Sequence, residues 1–400
     1  MRILILQDDF PPESHGGAGI AVFTVAHALQ KRGHKILVVT TVRRRESAGE
    51  VLYQGLRVCR IATSYPLRFQ AYVSLWNIPA VRRLKTVIKE FKPDVVHAHN
   101  VHSYLSYRSL AAAKRSGARV VLSCHDAMSV SYGKMTDSRI PTRRPWWRYG
   151  LRDNPFRNAF IRSAIRSHVD RVVAVSHALR DALEENGIRG IAVVHNGVDA
   201  EAWREPEEAV ESFRKSHGLG NSVVLFAGRL TRIKGATKII EAIALLKEKV
   251  PGVQLLVVGR KDEYAEGMLK KAHEAGIAER LIFTGWLSGH ALHQAYHAAS
   301  VVTVPSLYLE PFGLVALEGM AARKPVVATC FGGPPEIVED GVTGFIVDPN
   351  DVPAMSGKLG ELLQDTEKAA VFGEKGYERV LKEFSLEHQA EEYEKIYGEK

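Results

Sequence analysis

Residues 223–235 read Val-Val-Leu-Phe-Ala-Gly-Arg-Leu-Thr-Arg-Ile-Lys-Gly, an apolar run followed by a loop with spaced cations. The run predicts a buried β-strand over residues 223–226, and the loop places Arg229 and Lys234 just beyond its end. Ligands of open α/β sheets bind outside the carboxyl ends of the strands, where both cations would lie. Arg offers a planar fork and Lys a mobile ammonium, which together suit a diphosphate. Solvated loop cations are the structural alternative.

The same alternation of short β-branched runs with helical patterns continues in both directions and is typical of βαβ units. A first set of strands is predicted at residues 3–6, 36–40, 95–97, 120–123, 171–175 and 191–194. A second set is predicted at residues 223–226, 254–258, 281–283, 301–304, 326–328 and 345–347. Two doubly wound parallel sheets are more economical than one twelve-stranded sheet, so we expect two α/β domains that meet near residue 200.

Length, composition and charge fit two globular domains. The chain has 400 residues, 46% hydrophobic and 25% charged, which excludes disordered and collagen-like chains. Its net charge of +9 is uneven: residues 1–200 hold 31 Lys and Arg against 15 Asp and Glu (+16), and residues 201–400 hold 23 against 30 (−7). The basic excess predicts an anionic partner for the first half: phosphates, a membrane face or nucleic acid.

The cysteines and the hydropathy pattern favour a cytoplasmic protein. Cys59, Cys124 and Cys330 are far apart and show no C-x-x-C spacing, which argues against a structural zinc site or a disulfide framework and fits a reducing cytosol. The first apolar run is far shorter than that of a signal peptide, and no run reaches the ~18 residues that span a bilayer. We therefore expect a protein that is soluble or peripherally attached to a membrane.

A glycine loop opens the first predicted helix. Residues 15–19, His-Gly-Gly-Ala-Gly, place unhindered N–H groups and the positive end of the helix dipole above the first strand. A dinucleotide-binding loop is the obvious competitor, but about eight residues separate these glycines from the strand, and residues 38–41 carry no acid, which disfavours NAD. The loop therefore predicts an anion site, with simple chain-turning glycines as the structural alternative.

Residues 305–318 read Pro-Ser-Leu-Tyr-Leu-Glu-Pro-Phe-Gly-Leu-Val-Ala-Leu-Glu. Pro311 predicts the first turn of a helix, so Glu310 should precede the helix and Glu318 should lie two turns inside it. Gly313 would let a ligand approach the backbone amides. Paired carboxylates also suit a glycosidase, which uses one acid and one base. The anion-binding glycines and cations argue against that reading, because a glycosidase has no diphosphate to hold.

Two further segments carry candidate functional residues. His125-Asp126 follows the predicted strand 120–123, again at a carboxyl end, where a structural histidine is the alternative. The Arg/Trp region 143–152 interleaves arginines with Trp146 and Trp147. Such a pattern fits a patch that rests on anionic lipid or grips an anionic acceptor, and it fits equally a lid packed on the first domain.

Taken in order, these motifs resemble glycosyltransferase family 4, also called glycosyl transferases group 1: retaining, nucleotide-sugar-dependent enzymes of the GT-B fold. Each motif is weak alone, but their joint order and spacing are specific, and they cover essentially the whole chain. The matching segments are Gly16-Gly17, residues 93–99 (Pro-Asp-Val-Val-His-Ala-His), His125-Asp126, Val175-Ser176, residues 196–199 (Asn-Gly-Val-Asp), Gly228-Arg229-Leu230, Lys234-Gly235, Glu310 with Glu318, and residues 341–345 (Gly-Val-Thr-Gly-Phe).

The resemblance implies a GT-B architecture, with two Rossmann-like doubly wound domains facing across a cleft. Residues 1–200 would form the acceptor-side domain, with a helix over about 385–400 packed back on it, and residues 201–384 would bind the nucleotide sugar. It further implies that Arg229 and Lys234 neutralise the donor diphosphate, that Glu310 binds the transferred sugar, and that Glu318 holds the ribose. The implied catalytic residues are His125, Glu310, Arg229 and Lys234; the implied substrate-binding residues are Gly16, Gly17, Phe312, Gly313, Leu314 and Glu318.

The implied reaction is metal-independent transfer of a hexose-type sugar with retention, because the Arg/Lys pair supplies the charge that a divalent ion would otherwise bring. No cofactor is expected. The alternative is a GT-B relative without transferase activity: an epimerase, a phosphorylase or a nucleotide-sugar-binding pseudoenzyme. A nucleic-acid-binding protein is disfavoured, because the aromatic strand motif of RNA readers is missing. The basic first half predicts an acceptor that is lipid-linked or anionic, with region 143–152 as a candidate contact to the inner face of an anionic membrane.

Overall fold

The computed structural model of the chain describes residues 1–12, 16–63, 65, 69–131 and 155–399. These residues divide into two compact units. The first unit contains the described residues up to Gly197 together with 386–399, and the second contains residues 198–385. The chain therefore passes from one unit to the other at Gly197 and returns at Leu386. The Arg/Trp region 143–152 lies outside the described residues, so its interpretation stays a prediction.

The strands of the described residues form one sheet in each unit. In the first unit they are β1 (Arg2–Leu6), β2 (Lys35–Val42), β3 (Gly49–Tyr53), β4 (Leu56–Ala62), β5 (Val95–Ala98), β6 (Arg119–Cys124), β7 (Arg171–Ala174) and β8 (Ile191–Val193). In the second unit they are β9 (Val223–Ala227), β10 (Gln254–Val258), β11 (Leu281–Gly285), β12 (Val301–Val304), β13 (Val326–Thr329) and β14 (Gly344–Val347).

Helices connect the strands, as βαβ units require. In the first unit they are α1 (Gly17–Lys31), α2 (Gln70–Val73), α3 (Ile78–Phe91), α4 (Arg108–Lys114), α5 (Pro155–His168), α6 (His177–Glu185) and, after the second unit, α15 (Leu386–Gly398). In the second unit they are α7 (Glu207–Ser216), α8 (Ala236–Leu246), α9 (Glu263–Glu274), α10 (His290–Ala298), α11 (Leu314–Ala321), α12 (Pro334–Ile337), α13 (Val352–Gln364) and α14 (Thr366–Glu383). Among these helices, none combines the length and the apolar composition that a membrane span requires.

The prediction of two doubly wound α/β sheets is confirmed, with one addition. The first sheet has the order β3-β4-β2-β1-β5-β6-β7-β8, and its neighbours are parallel except for β3 and β4. This antiparallel hairpin was absent from the sequence prediction. β3 is a short, exposed edge strand, and the apolar residues of β4 are interrupted by Arg57 and Arg60. Its signal is the two-residue connection Gln54-Gly55, both with positive φ, the turn that hairpins favour.

The second sheet is entirely parallel and has the order β11-β10-β9-β12-β13-β14. Counted from β9, this is the order 3-2-1-4-5-6 of a doubly wound fold. The direction of winding reverses between β9 and β12, and the crevice beyond their carboxyl ends is where such sheets bind ligands. Arg229 and Lys234 follow β9, and Glu310 follows β12, so the topology brings them to one edge.

Each sheet is buried on both faces, which explains the continuous Val, Ile and Leu runs of its strands. In the first unit, the core includes the inner face of α15, where Ala390, Tyr393 and Tyr397 pack with Ile3 and Ile5. The last helix of the chain is therefore part of the first unit's core rather than of the second's.

Candidate active site

The loop after β9 delivers Lys234 through a tight backbone turn. Arg232–Lys234 form one 3₁₀ turn, and Gly235 follows with a φ of 76° at the start of α8. A Cβ on Gly235 would lie 1.8 Å from the carbonyl oxygen of Pro305, so no other residue fits there. Leu307 N–H also donates to the carbonyl of Ile233 at 2.7 Å. The loops after β9 and β12 are thus packed backbone against backbone.

Glu310 is positioned by a backbone pairing with the loop after β13. Glu310 and Gly332 form an isolated parallel bridge, and Gly333 N–H donates to the carbonyl of Glu310 at 2.8 Å. Gly332 has a φ of 90°, and a Cβ there would lie 2.1 Å from the Glu310 carbonyl oxygen. The glycines of this loop are therefore needed for close approach to Glu310.

The carboxylate of Glu310 is held by three side chains. Lys234 Nζ lies 2.9 Å from Oε1 and 2.7 Å from Oε2. Ser306 Oγ donates to Oε2 at 2.6 Å, and Tyr308 OH donates to Oε1 at 3.2 Å. The Lys234 ammonium also lies 5.2 Å from the centre of the Tyr308 ring. Two residues that the family resemblance placed in one donor site thus form a direct ion pair.

The environment keeps the Lys234 ammonium charged. Burial alone would lower the pKa of Lys234, but the charge and hydrogen bonds of Glu310 and Tyr308 together outweigh burial, and the pKa lies above its ordinary value. Burial raises the pKa of Tyr308, and the Glu310 charge raises it further, so this phenol stays a hydrogen-bond donor at neutral pH. The Glu310 side chain is 9% exposed and that of Lys234 is 21% exposed, so both partners are largely withdrawn from solvent.

Arg229 is more exposed to solvent than Lys234. Its side chain is exposed, and within the described residues no hydrogen bond or ion pair is formed by its guanidinium. Its charge nevertheless acts on the phenol of Tyr308, opposing the rise in that group's pKa. A cation that the fold leaves uncompensated beside a buried ion pair is suited to an anionic ligand.

The helix after Glu310 starts later than the sequence indicated. α11 begins at Leu314, so the prediction that Pro311 lies in its first turn is wrong, and Glu318 lies just over one turn inside rather than two. The cause is Gly313, whose φ of 109° breaks the helix on its N-terminal side. The N–H groups of Leu314 and the next residue have no acceptor within α11, as at every helix start, and they present a positive end beside Phe312 and Gly313.

Glu318 has its own partner, which the sequence did not predict. Tyr296, on α10, donates a short hydrogen bond from its OH to Oε2 of Glu318. Burial raises the pKa of Glu318 to about 7, and the hydrogen bond from Tyr296 offsets only part of that rise. Glu318 is therefore poised to change charge near neutral pH.

In the first unit, the predicted glycine loop does begin a helix. Gly16 is the extended N-cap of α1 and Gly17 its first residue, while residues 13–15, including His15, lie outside the described part. No side chain of the described residues caps this end, and its first turn holds no acid. The end keeps its positive partial charge, as an anion site requires.

His125 is buried at the end of β6 beside other histidines. His99 Nδ1 lies 2.9 Å from His125 Nε2, and the centres of the His99 and His97 rings lie 3.9 Å apart with the rings tilted by 35°. His97 in turn is hydrogen-bonded through Nδ1 to Tyr397 and through Nε2 to Ser123, at 2.7 and 2.8 Å. Burial lowers the pKa of His97 to about 3 and that of His125 to about 4, so both rings are neutral at pH 7.

The ring nitrogen of His125 that carries the proton can be inferred from the contact with His99. Within the described residues, the buried Nε2 of His99 has no hydrogen-bond partner. A buried acceptor without a hydrogen bond costs less free energy than a buried N–H group without one. His99 therefore carries its proton on Nδ1 and donates to Nε2 of His125. The neutral His125 ring then carries its proton on Nδ1.

Sequence reasoning gave no role to Ser306, Tyr308, Tyr296 or His99, all of which contact the candidate residues. His99 lay within the quoted segment 93–99, but without an assigned role. Ser306 and Tyr308 lie within four residues of Glu310, in the segment already singled out, so their spacing was a usable signal. Tyr296 contacts Glu318 from another helix, and no local sequence pattern predicts that contact.

Comparison with known proteins identifies the class. The profile described as "Glycosyl transferases group 1" matches residues 209–379, and the profile described as "Glycosyltransferase Family 4" matches residues 15–202. Among solved structures, HepE of Anabaena in complex with UDP and glucose gives a TM-score of 0.77 at 21% identity over 99% of both chains. Sucrose-phosphate synthase from Thermosynechococcus elongatus gives 0.79 at 22% identity over 99% of this chain and 98% of that one. The fold is therefore that of the GT-B glycosyltransferases.

Curated relatives narrow the class to a family. The alpha-maltose-1-phosphate synthase of Mycolicibacterium smegmatis is 30% identical over 99% of both chains. A GDP-mannose-dependent alpha-(1-6)-phosphatidylinositol monomannoside mannosyltransferase of the same organism is 28% identical over 94% of this chain and 92% of its own. The chain belongs to glycosyltransferase family 4, and it is a glycosyltransferase, as the resemblance of its motifs implied.

Proposed function

We propose that this enzyme transfers a hexose-type sugar from a nucleoside-diphosphate sugar to an acceptor hydroxyl, with retention of anomeric configuration and without a metal ion. The observation that carries the proposal is the convergence of Arg229, Lys234 and Glu310 beyond the carboxyl ends of β9 and β12. HepE, whose structure holds UDP and glucose, and the GDP-mannose-dependent relative support a nucleotide-sugar donor.

The ion pair suggests how donor and protein meet. An ammonium has three N–H donors, so Lys234 can serve both oxygens of Glu310 and still bind a phosphate oxygen. Arg229 would add a bidentate contact to the diphosphate. Glu310, fixed by Ser306 and Tyr308, would accept hydrogen bonds from hydroxyls of the transferred sugar, beside the N–H groups of Gly313 and Leu314. Glu318 would accept those of the ribose.

The chemical step would be front-face transfer. As the diphosphate leaves, the sugar becomes oxocarbenium-like, and a phosphate oxygen takes the proton of the attacking acceptor hydroxyl. Stabilisation of the leaving group then contributes most to lowering the activation barrier, and fixed cations and helix N-termini supply it. In the first unit, the Nδ1–H of His125 is a fixed hydrogen-bond donor for the sugar, and the amides of Gly16 and Gly17 can bind phosphate oxygens.

The uneven distribution of charge along the sequence suggests the chemistry of the acceptor. Arg229 and Lys234 belong to the acidic half of the sequence, so donor binding leaves the +16 of residues 1–200 unexplained. We propose that this excess serves an anionic or lipid-linked acceptor, at the cytoplasmic face of a membrane.

The test is a panel of nucleotide sugars, led by UDP-glucose and GDP-mannose, incubated with EDTA-treated enzyme and with phosphorylated or lipid-linked acceptors. We expect one donor to release its nucleoside diphosphate, and NMR of the product to show the donor's anomeric configuration. Inversion would refute retention, and a strict need for Mg²⁺ or Mn²⁺ would refute metal independence. Donor binding without nucleotide release under any of these conditions would support the pseudoenzyme alternative.

A further inference from the structure

Three metal-ligating side chains meet in the second unit, apart from the residues assigned to the donor. His290 and His293 stand three positions apart on α10 and therefore share one face of that helix. Glu205, just before α7, turns its carboxylate toward them: Oε1 lies 2.7 Å from His290 Nδ1 and 3.4 Å from His293 Nδ1. One ligand atom from each of the three lies within 4.8 Å of the others.

Protein contacts do not fully account for this cluster. The Glu205 side chain is 2% exposed, yet beyond His290 its carboxylate receives only a 3.3 Å bond from Gln294, within the described residues. The buried Nδ1 of His293 forms no hydrogen bond in the same part of the chain. The 3.4 Å separation between this buried imidazole nitrogen and the carboxylate oxygen is the separation expected of two atoms that coordinate the same ion.

The spacing suits a tetrahedral ion. Zinc binds imidazole nitrogen at about 2.0–2.1 Å and carboxylate oxygen at about 2.0–2.2 Å, which puts neighbouring ligand atoms about 3.3 Å apart. The 3.4 Å separation already matches, and the 2.7 Å separation would need to open by about half an ångström. Two imidazoles select late first-row cations over Mg²⁺ or Ca²⁺, and the exposed His290 leaves room for a solvent ligand.

We propose that Glu205, His290 and His293 form a binding site for Zn²⁺. The competing account is a hydrogen bond between His290 and Glu205, with His293 as a second electrostatic neighbour of the same carboxylate. The proposal is independent of the sugar-transfer mechanism, since none of the three residues is assigned to donor or acceptor.

The neighbours of the site indicate what a bound ion would do. The Trp203 ring lies 4.4 Å from that of His293 and 5.0 Å from that of Tyr296, and its carbonyl oxygen is 2.6 Å from His297 Nε2. Trp203 and Glu205 belong to the segment that follows the chain's entry into the second unit. The bound ion would link this segment to α10 and so would stabilise the second unit. Tyr296, which donates a hydrogen bond to Glu318, lies on the same helix.

The experiment is a titration of tag-free, chelator-treated full-length protein with Zn²⁺, and with Co²⁺ as an optical probe. We expect one equivalent to bind, tetrahedral Co²⁺ absorption that Zn²⁺ abolishes, quenching of tryptophan fluorescence by Co²⁺, and a melting temperature that rises with Zn²⁺. His290→Ala, at an 82% exposed side chain, should fold normally and weaken binding by about 100-fold. Glu205→Gln and His293→Gln should do the same.

His177→Ala, in the first unit, is the matched control and should bind as the wild type does. Binding that survives His290→Ala, or that is lost in His177→Ala instead, would overturn the site. So would a wild-type protein that takes up no Zn²⁺ at a tenfold molar excess. Circular dichroism of each variant in EDTA separates loss of the ligand from loss of the fold.

Discussion

The ammonium of Lys234 lies 2.9 and 2.7 Å from the two carboxylate oxygens of Glu310, although 76 positions separate these residues in the chain. The pair joins the loops after β9 and β12, the strands between which the winding of the sheet reverses. Removing one member of such a buried pair leaves an uncompensated charge, so a single substitution changes stability and chemistry together. Tests of this site must separate the two effects.

Lys234→Met should lower the free energy of unfolding by about 3–5 kcal/mol, because Glu310 loses its counter-charge. It should also lower kcat by about 10²–10³, the usual cost of one lost electrostatic contact to a developing anion. The double variant Lys234→Met/Glu310→Gln should regain most of the stability but none of the turnover. Urea unfolding and nucleotide release measure the two effects. Wild-type turnover in either variant would remove Lys234 from the mechanism.

Arg229→Ala should separate the effect on stability from the effect on turnover more simply. The Arg229 side chain is exposed, so its loss should change the free energy of unfolding by no more than about 0.5 kcal/mol. If the guanidinium holds the leaving diphosphate, kcat should fall by about 10²–10³. Arg232→Ala, at another exposed arginine in the same loop, is the control and should leave both quantities unchanged. Equal losses of rate in the two variants would point to general electrostatic attraction instead of a specific contact.

The sequence was sufficient to predict where the candidate residues lie but not how they pair. Twelve strands could be predicted because strands buried on both faces are continuous apolar runs. β3 and β4 were missed because β3 lies at an exposed edge and because arginines interrupt the apolar residues of β4. Glu310 and Lys234 could be placed in one donor site from the resemblance of their motifs to the family. Their ion pair could not, because it depends on the approach of the Gly235 backbone to Pro305 and of Gly332 to Glu310.

Glu318 should give donor binding a pH dependence. Its pKa of about 7, raised by burial, means that the carboxylate form, which can accept hydrogen bonds from ribose hydroxyls, is lost as pH falls below 7. We expect kcat/KM for the donor to fall about tenfold per pH unit on that acidic limb. Glu318→Gln should raise KM and abolish the limb.

Tyr296→Phe supplies the complementary test. Removing the hydroxyl takes away the hydrogen bond that favours the Glu318 carboxylate, so the pKa of Glu318 should rise and the acidic limb should move to higher pH. The measurement is kcat/KM for the donor between pH 5.5 and 8.5 on both variants, in buffers of about constant ionic strength. A limb that stays in place in Tyr296→Phe would show that another group is titrating.

The buried histidines of the first unit should make the protein sensitive to acid. Burial lowers the pKa of His97 to about 3 in the folded state, so between about pH 6.5 and 3 the unfolded chain binds a proton that the folded chain does not. Stability therefore falls as pH falls, by up to about 1.4 kcal/mol per pH unit for this residue. Asp8 acts in the opposite direction, because burial raises its pKa to about 6, and stability is lost as pH rises from about 4 to 6.

Two substitutions with opposite effects test this account of acid sensitivity. Between pH 4.5 and 6, His97→Gln should make the free energy of unfolding rise less steeply with pH than in the wild type, because one titrating group is gone. Asp8→Asn should make it rise more steeply over the same range. The slope is the readout, since either change can shift stability at every pH through lost hydrogen bonds. Slopes that move in the same direction would contradict the assignment of these two groups, because only opposite signs follow from one lowered and one raised pKa.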